Sequence, residues 1–464
     1  MGKSQTTWRG DFPGDLRVVF HRLKKRSIGC FVVGPAVRDA LSSGNMDKVA
    51  RIELVAVCQS LQDVEAALEG ASTTSFFFSR ADRVRRMVQF NVQNASSGEL
   101  LRRLSITDVP SEHDLADHLS KREVTVNALA MGEGGEVVDP FSGFADLAAQ
   151  RIRPIVHPAT AFLQKPLTLV KVAKHVAYHG FPADDETLEN ACRYASNVLD
   201  VSGERLRPEL ERLLVNIYPD MGLTFLEQTG ILRFILPEVQ SMVGFADSCE
   251  VHHKDIWDHT RKVVLKSKPH AAIRWAALLH DIGKVWTRSV DGQGRVHFFR
   301  HEDMGALLFK GIAARLALDD RLCERVEFLV RNHSRINMYT AEWTDSAVRR
   351  LMRDTGDNLE DLLALSKADI TSRQERRVEE LSQLLDDLGR RIEEIRAEEA
   401  REPALPRGAG DAIMQHFGLE PGPLVGMLRE ELEKAIEAGT LPPGLPIESY
   451  MGHLESYVRK QGKV

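Results

Sequence analysis

The spacing of apolar residues changes once along this chain, near residue 158, and no other feature limits the fold as strongly. Between residues 28 and 60, short apolar runs alternate with turns: IGCFVVG, then VRDAL with helical spacing, then RIELVAV. That order reads as strand, glycine turn, helix, strand. MVQFNVQ and LLRRLSI predict a further strand pair, and the mixed region closes near GEVVDPFSGFADL. Beyond residue 158 strand signals almost vanish. PLTLVKVAKHVAYHGF, RLRPELERLLVNIY, the segment 255–372 and a charged stretch at 374–401 all read as helix. The expected class is α+β, an αβ head followed by an all-helical remainder. Four parts are expected, at 1–155, 156–245, 246–372 and 373–464, with the Pro- and Gly-rich EPALPRGAG (402–410) as the clearest linker.

The bulk numbers narrow the setting. At 464 residues the chain can bury substantial cores, and 43% apolar with 28% charged residues is ordinary for a soluble globular protein. No run of about 20 uncharged apolar residues occurs, so no membrane partner is expected. The opening MGKSQTTWRGDFPGDL lacks the apolar core of a secretory signal. Five cysteines (30, 58, 192, 249 and 323) are odd in number, widely spaced and without a CxxC pair. They read as free thiols of a reducing compartment, which makes a cytoplasmic location the expectation. A net charge of −6 argues against bulk coating of nucleic acid but leaves room for a local basic face. Candidate basic clusters are HRLKKR (21–26), RADRVRR (80–86) and Arg102-Arg103. In the charged helix, Val378, Leu381, Leu385, Leu388, Ile392 and Ile395 follow heptad spacing. Two readings are open, a short coiled coil or one stripe packed on its own domain. Monomer and homodimer are therefore both allowed.

Chemistry-bearing residues concentrate in 255–372. His259 lies in IWDHTRKVV, His280 and Asp281 are adjacent at the end of AAIRWAALL, and Asp369 lies in LALSKADITSR. Adjacent residues do not share a helix face, yet both can reach one ion at the helix edge. Two imidazoles and two carboxylates make a mixed nitrogen and oxygen site for a divalent metal ion (nickel, cobalt, manganese or magnesium) with positions left for water and phosphate. Such an ion would activate water at neutral pH for attack on a phosphate ester. Lys284, one turn beyond Asp281, could neutralise a substrate phosphate. His301 and His333 are candidates for phosphate contact, proton transfer or a second metal, while His252, His253 and His297 read as bystanders. The ordered set, with His-Asp after an apolar helix and before Gly-Lys, resembles the HD phosphohydrolase superfamily.

A second resemblance covers about residues 28–440. FVVGPAVRDAL resembles the opening motif of the bacterial class II tRNA nucleotidyltransferase (CCA-adding) and poly(A) polymerase family, whose head has the polymerase-β-like fold. The resemblance implies that Gly34, Arg38 and Asp39 handle a triphosphate; Pro35 stands where a second Gly is usual, stiffening the turn and removing an N–H donor. It also implies an Asp-x-Asp pair on the next strand. Matched by strand those positions are Arg51 and Glu53; matched by spacing they are Lys48 and Ala50, with Asp47 a lone acid before them. Neither register supplies two carboxylates, and an Arg there opposes two-metal phosphoryl transfer.

KREVTVNALAM resembles the ribose motif, keeping Arg122 and Asn127 and changing its neighbours to Lys121 and Glu123. GEVVDPFSGFADLAAQRIRPI is a close match. The base-selecting Glu-Asp-x-x-Arg reads Gln164, Lys165 and Thr168, which cannot reproduce the paired donors and acceptors that read a base. Gly34, Arg38 and Asp39 are then either fold maintenance or residual nucleotide binding. GERLRPELERLL resembles the neck helix, and residues 410–439 resemble the closing segment.

The resemblance thus implies an αβ nucleotidyltransferase-like head, a helical neck and body of RNA-binding type, an α-helical HD domain and a helical tail. It further implies RNA partners, tRNA or other RNA 3′ ends, and nucleotides. Two activities follow from it. One is metal-dependent HD phosphohydrolysis of 2′,3′-cyclic or terminal phosphates, with nucleotide addition lost. The other is CCA or A addition at an atypical metal site using Glu53 with Asp47 or Asp39. A non-catalytic tRNA-binding role is the third expectation.

Overall fold

The computed structural model describes residues 3–47, 49–68, 74–82, 86–94, 97–245, 255–371, 375–400, 405–406, 408–442 and 444–461. Lys48, Cys249, His252 and His253, and Arg83, Val84 and Arg85 of the RADRVRR cluster, lie outside the described residues. The chain forms two compact units. One is Met1–Met338 with Asp357–Leu381, and the other is Tyr339–Gly356 with Ser382–Val464.

The first unit opens with an eight-stranded mixed sheet. Its strands are β1 (Lys3–Thr7), β2 (Gly29–Val33), β3 (Arg51–Val57), β4 (Thr74–Asp82), β5 (Met87–Asn94), β6 (Leu100–Val109), β7 (Ala130–Gly132) and β8 (Glu136–Val138), in the order β1-β8-β7-β2-β3-β6-β5-β4. β3 runs parallel to β6, with Glu53 opposite Ser105, and antiparallel to β2, with Glu53 opposite Val33. The strands around 28–60 and the β5–β6 pair are those the apolar spacing predicts. β1, β4 and the short β7 and β8 carry too little alternation to be read. One sheet face is covered by the Gly14–Lys25, Pro35–Ser43 and Leu61–Leu68 helices, whose Leu16, Leu23, Val37 and Leu68 are fully buried.

The turn after β2 shows what Pro35 does. Gly34 has φ +74°, and Pro35 is the first residue of the next helix. Its missing N–H falls where a helix leaves that donor unused, and its fixed φ suits the position. The proline therefore supports the turn rather than distorting it.

Arg102, read as part of a basic cluster, is buried and pairs with Asp15 at 2.5 Å. It also donates to the carbonyls of Asp47 and Val49. It is a structural cation under the loop before β3.

From Pro158 onward the described residues of the first unit are helical except for connecting turns and one hairpin, β9 (Arg288–Val290) with β10 (Val296–Phe298), which the sequence did not signal. Its strands have three residues each, too few to show alternation. The Ala271–Leu279 helix is buried along nearly its whole length, which suits its almost uniformly apolar sequence. Its one charge, Arg274, donates to the carbonyls of Ser267 and Leu214 and is pushed down to about 10 by burial.

In the second unit the part of the Glu375–Ala400 helix from Ser382 onward buries Leu385, Leu388, Ile392 and Ile395. Asp387 and Arg391 of that helix bond to Tyr339, and Arg391 also pairs with Asp345. Those four apolar residues are covered within the chain, as the packed-stripe reading expects, while Leu381 is exposed. The Ala409–Phe417, Pro423–Glu437 and Met451–Gln461 helices share a small core around Ile413, Leu432 and Tyr450. Among the described residues no helix is long and apolar enough to cross a membrane.

Candidate metal centre and candidate head site

Five local features bring six side chains of the HD region to one point. The Ile256–Lys266 helix is capped by Asp255, whose carboxylate accepts from the Trp257 N–H at 2.8 Å, and it presents His259 one turn in. The Ala271–Leu279 helix ends at His280, and Asp281 already lies in the following turn. That change of backbone direction lets two adjacent residues face one centre. Gly283 completes the turn. A Cβ there would sit 2.0 Å from the His301 carbonyl oxygen, so only glycine lets the His301–Leu316 helix approach this closely. Arg300, just before it, holds a left-handed φ of +58°, a strained conformation for a non-glycine residue that turns the chain into this helix. His333 comes from the Asp320–Ile336 helix and Asp369 from the end of the Leu359–Asp369 helix.

The donors fall into two groups, His259 with His280 and Asp369, and Asp281 with His301 and His333. Within each, the potential ligand atoms lie within 4.8 Å of one another, and among the described residues no other group of three or more does so. In the first group His259 Nε2 is 3.0 Å from Asp369 Oδ1 and 3.1 Å from His280 Nε2. In the second, His301 Nε2 and His333 Nε2 are 3.3 Å apart, and each approaches Asp281 Oδ1, at 3.7 and 3.8 Å. The other oxygen of Asp281 faces the first group, 3.3 Å from His280 Nε2 and 3.6 Å from His259 Nε2. Asp281 therefore joins the two.

All four imidazoles are oriented through Nδ1. His280, His301 and His333 each place it 2.8–3.0 Å from a carbonyl oxygen, of Ala277, Phe298 and Val330 respectively, and His259 places it 2.6 Å from Thr371 Oγ1. Nε2 is thereby turned into the cluster in every case, the arrangement that sets the tautomer of metal-binding histidines. Lys284 donates to Asp281 Oδ2 at 2.7 Å, and its ammonium lies over the Phe298 ring. His297 stands apart on the hairpin, 3.0 Å from Asp291.

The electrostatics point to a cation. Burial alone would lower the His280 imidazole, but Asp281 and Asp369 outweigh it and hold it up at about 10. Burial opposes the charge on Asp281, yet His280 and Lys284 hold the carboxyl well below its usual range. Asp369 is likewise held far down by His259 and His280 against its own burial. His333 is pushed down to about 4 by burial and the nearby His280, which favours the neutral, ligating form. Four imidazoles and two carboxylates, buried or half-buried and oriented from behind, fit a divalent metal ion. The sequence missed Thr371, Gly283 and the bridging role of Asp281. Only Gly283 left a trace, the Gly before Lys284.

The head residues also come together, but on each other. Arg38, almost fully buried, donates to Asn127 Oδ1 at 2.7 Å and to Asp39 Oδ1 at 2.8 Å, and it stacks over the Tyr178 ring. Arg122 lies against Gly34 and pairs with Glu53 at 2.6 Å. Glu123 accepts from Lys171 and Lys174 at 2.6 and 2.7 Å, with His175 Nε2 also 2.7 Å away. Arg51 and Asp47 are exposed. Gln164, Lys165 and Thr168 sit apart, around the start of the Thr168–His179 helix.

Comparison with known proteins matches these regions one by one. Residues 30–153 match the Poly A polymerase head domain, 180–242 the probable RNA and SrmB-binding site of polymerase A, and 256–374 the HD domain. The chain is 32% identical over 355 residues to an A-adding tRNA nucleotidyltransferase of Deinococcus radiodurans, covering 74% of this chain and 79% of that one. It is 32% identical over 343 residues to a CC-adding tRNA nucleotidyltransferase of Thermus thermophilus, covering 71% and 75%. A Multifunctional CCA protein of Ectopseudomonas mendocina is 33% identical over 229 residues, 47% of this chain and 54% of that one. Among solved structures, the Bacillus stearothermophilus CCA-adding enzyme in complex with CTP superposes over 97% of this chain and 98% of its own. Its TM-score is 0.57 at 18% identity, a likeness of fold. Fold, matched regions and relatives agree: the chain belongs to the tRNA nucleotidyltransferase and poly(A) polymerase family, and it carries an HD domain.

Proposed function

We propose that this chain acts on RNA 3′ ends, tRNA foremost, as a metal-dependent phosphohydrolase of the HD type. The head, neck and body would serve as a nucleotide- and RNA-binding scaffold. The observation that carries this reading is the pair of ligand groups joined by Asp281. His259, His280 and Asp369 would hold one divalent ion, and Asp281, His301 and His333 a second; when bound, such ions supply Lewis acidity and an activated water for attack on phosphorus. The second ion is one of three uses the sequence left open for His301 and His333. Their Nε2 atoms converge on an oxygen of Asp281, which favours it over separate phosphate contacts. Lys284, tied to the same carboxylate, offers the positive charge that a phosphate ester needs at the rim. The substrates that fit are 2′,3′-cyclic phosphates and terminal phosphomonoesters of RNA or nucleotides. The deciding comparison is release of product from 2′,3′-cyclic AMP by the wild type and by Asp281→Ala, each with added divalent metal and with chelator. Metal-dependent turnover that persists in the variant rules this reading out.

The second reading is nucleotide addition to tRNA, and the comparisons favour it over hydrolysis, because the relatives spanning most of this chain carry that activity in their names. It requires Glu53, with Asp47 or Asp39, to stand in for the Asp-x-Asp pair. Against it, Glu53 is held by Arg122, and Asp39 by Arg38. Incorporation of labelled CTP or ATP into a truncated tRNA, lost in Glu53→Gln, would establish it. Tight, salt-sensitive tRNA binding without either turnover would leave the binding role alone.

A further inference from the structure

The positions that replace the family's base-reading residues open onto a pocket of about 180 Å³. Gln164, Lys165, Thr168 and Lys171 line one side, from the end of one helix and the start of the next; Asp200 and Arg205 line the other. Lys171 is already neutralised by Glu123 at 2.6 Å. Lys165 and Arg205 are exposed, and among the described residues no ion pair or side-chain hydrogen bond engages either. Two uncommitted cations thus face one carboxylate, Asp200.

The hydrogen-bonding inventory of the walls decides what can fit. The Lys165 ammonium and the Arg205 guanidinium only donate, the Thr168 hydroxyl and the Gln164 amide can donate or accept, and Asp200 is the single charged acceptor. A nucleobase edge presents donors and acceptors side by side and needs both to be matched. A phosphate group presents acceptors only and gains most from a charged donor pair. Replacing an Asp and an Arg by Lys165 and Thr168 removes the acceptor that reads an exocyclic amine and leaves a donor-rich wall.

We infer that this pocket binds a phosphate group, from a nucleotide or from the RNA backbone, without regard to the base that carries it. The inference concerns the body of the protein and holds whether or not the HD cluster hydrolyses phosphate esters.

The test uses the full-length protein and the Lys165→Glu/Arg205→Glu double variant, with Lys165→Gln/Arg205→Gln as a milder second pair should the first fold poorly. Equilibrium dialysis measures CTP, GTP and cytidine, and filter binding measures a tRNA lacking its terminal CCA. The wild type should bind CTP and GTP within about threefold of each other and cytidine at least tenfold more weakly. The Glu variant should lose at least tenfold in affinity for the ligand that uses the pocket, and the Gln variant should lose less. If the loss falls on the nucleotides, the phosphate is a nucleotide's. If it falls on tRNA, with the salt slope reduced by about 1, it is the backbone's. Unchanged binding of both ligand types in both variants overturns the inference. So does cytidine binding as tightly as CTP and weakened by the variants, because the pocket would then read the base. Turnover of 2′,3′-cyclic AMP, followed in parallel, reports on the HD cluster separately.

Discussion

The candidate head site and the HD cluster differ in where their charges are spent. Around the head site four charges of the chain are answered within it: Arg38 by Asp39, Arg122 by Glu53, and Lys171 and Lys174 by Glu123. In the HD cluster four Nε2 atoms and two carboxylates are turned inward together, and Lys284 brings a permanent positive charge to one of the carboxylates. A motif whose charges are internally paired keeps its shape and has little left for a ligand. One in which four imidazole nitrogens and two carboxylates converge on one point is organised for an ion that comes from outside.

The comparison breaks most directly at Asp281. Asp281→Ala removes the carboxylate that joins both groups and should lower 2′,3′-cyclic AMP turnover by about 10³-fold or more, measured as initial rate at saturating metal. Chelation of the wild type should do the same, reversibly on adding metal back. Gly283→Ala should act through geometry, because its Cβ would meet the His301 carbonyl. We expect a loss of about 2–3 kcal/mol in denaturant unfolding together with lost metal binding. Thr371→Val leaves every proposed ligand in place but removes the hydroxyl behind His259 Nδ1. It should cost about 10- to 100-fold in metal affinity or rate, and no change would mean that His259 is oriented by packing alone.

Predictions in the head are smaller and structural. Glu123 is held well below the usual glutamate range; burial opposes this, but His175, Lys171 and Lys174 outweigh it. Its contribution to stability is therefore full above the unfolded-state value of about 4.3 and is lost as the pH falls below it. Glu123→Gln should destabilise by about 1–2 kcal/mol at pH 7 and flatten that acid limb in thermal melts across pH 3–7. Glu53→Gln should free Arg122 at a cost near zero in stability. Any nucleotide incorporation by the wild type that this variant abolishes would restore the head to catalysis and erase the contrast.

Much of this was legible in the sequence because it was local. The β2 turn at Gly34, the apolar helix before His280 and the packed stripe from Leu385 to Ile395 are written in short-range spacing. The His and Asp candidates were identifiable as residue types in order. What could not be read was who pairs with whom across long separations. Glu53 meets Arg122 and Arg102 meets Asp15 only once the sheet has formed, and a charge in sequence carries no mark of its partner. The division of the HD donors into two groups sharing Asp281 depends on five helices meeting and on an approach at Gly283 so close that a Cβ there would meet the His301 carbonyl oxygen, which spacing alone cannot supply. Strands β7 to β10, with three residues each, are too short to express an alternation.

One paired assay tests most directly the claim that chemistry resides in the HD cluster and not in the head. The same wild-type preparation is given a truncated tRNA with labelled CTP and ATP and, separately, a tRNA ending in a 2′,3′-cyclic phosphate, both with divalent metal. The account predicts opening or removal of the cyclic phosphate and no nucleotide incorporation. Incorporation into the truncated tRNA with the cyclic phosphate left intact would contradict it and make the chain a nucleotide-adding enzyme that works without the Asp-x-Asp pair.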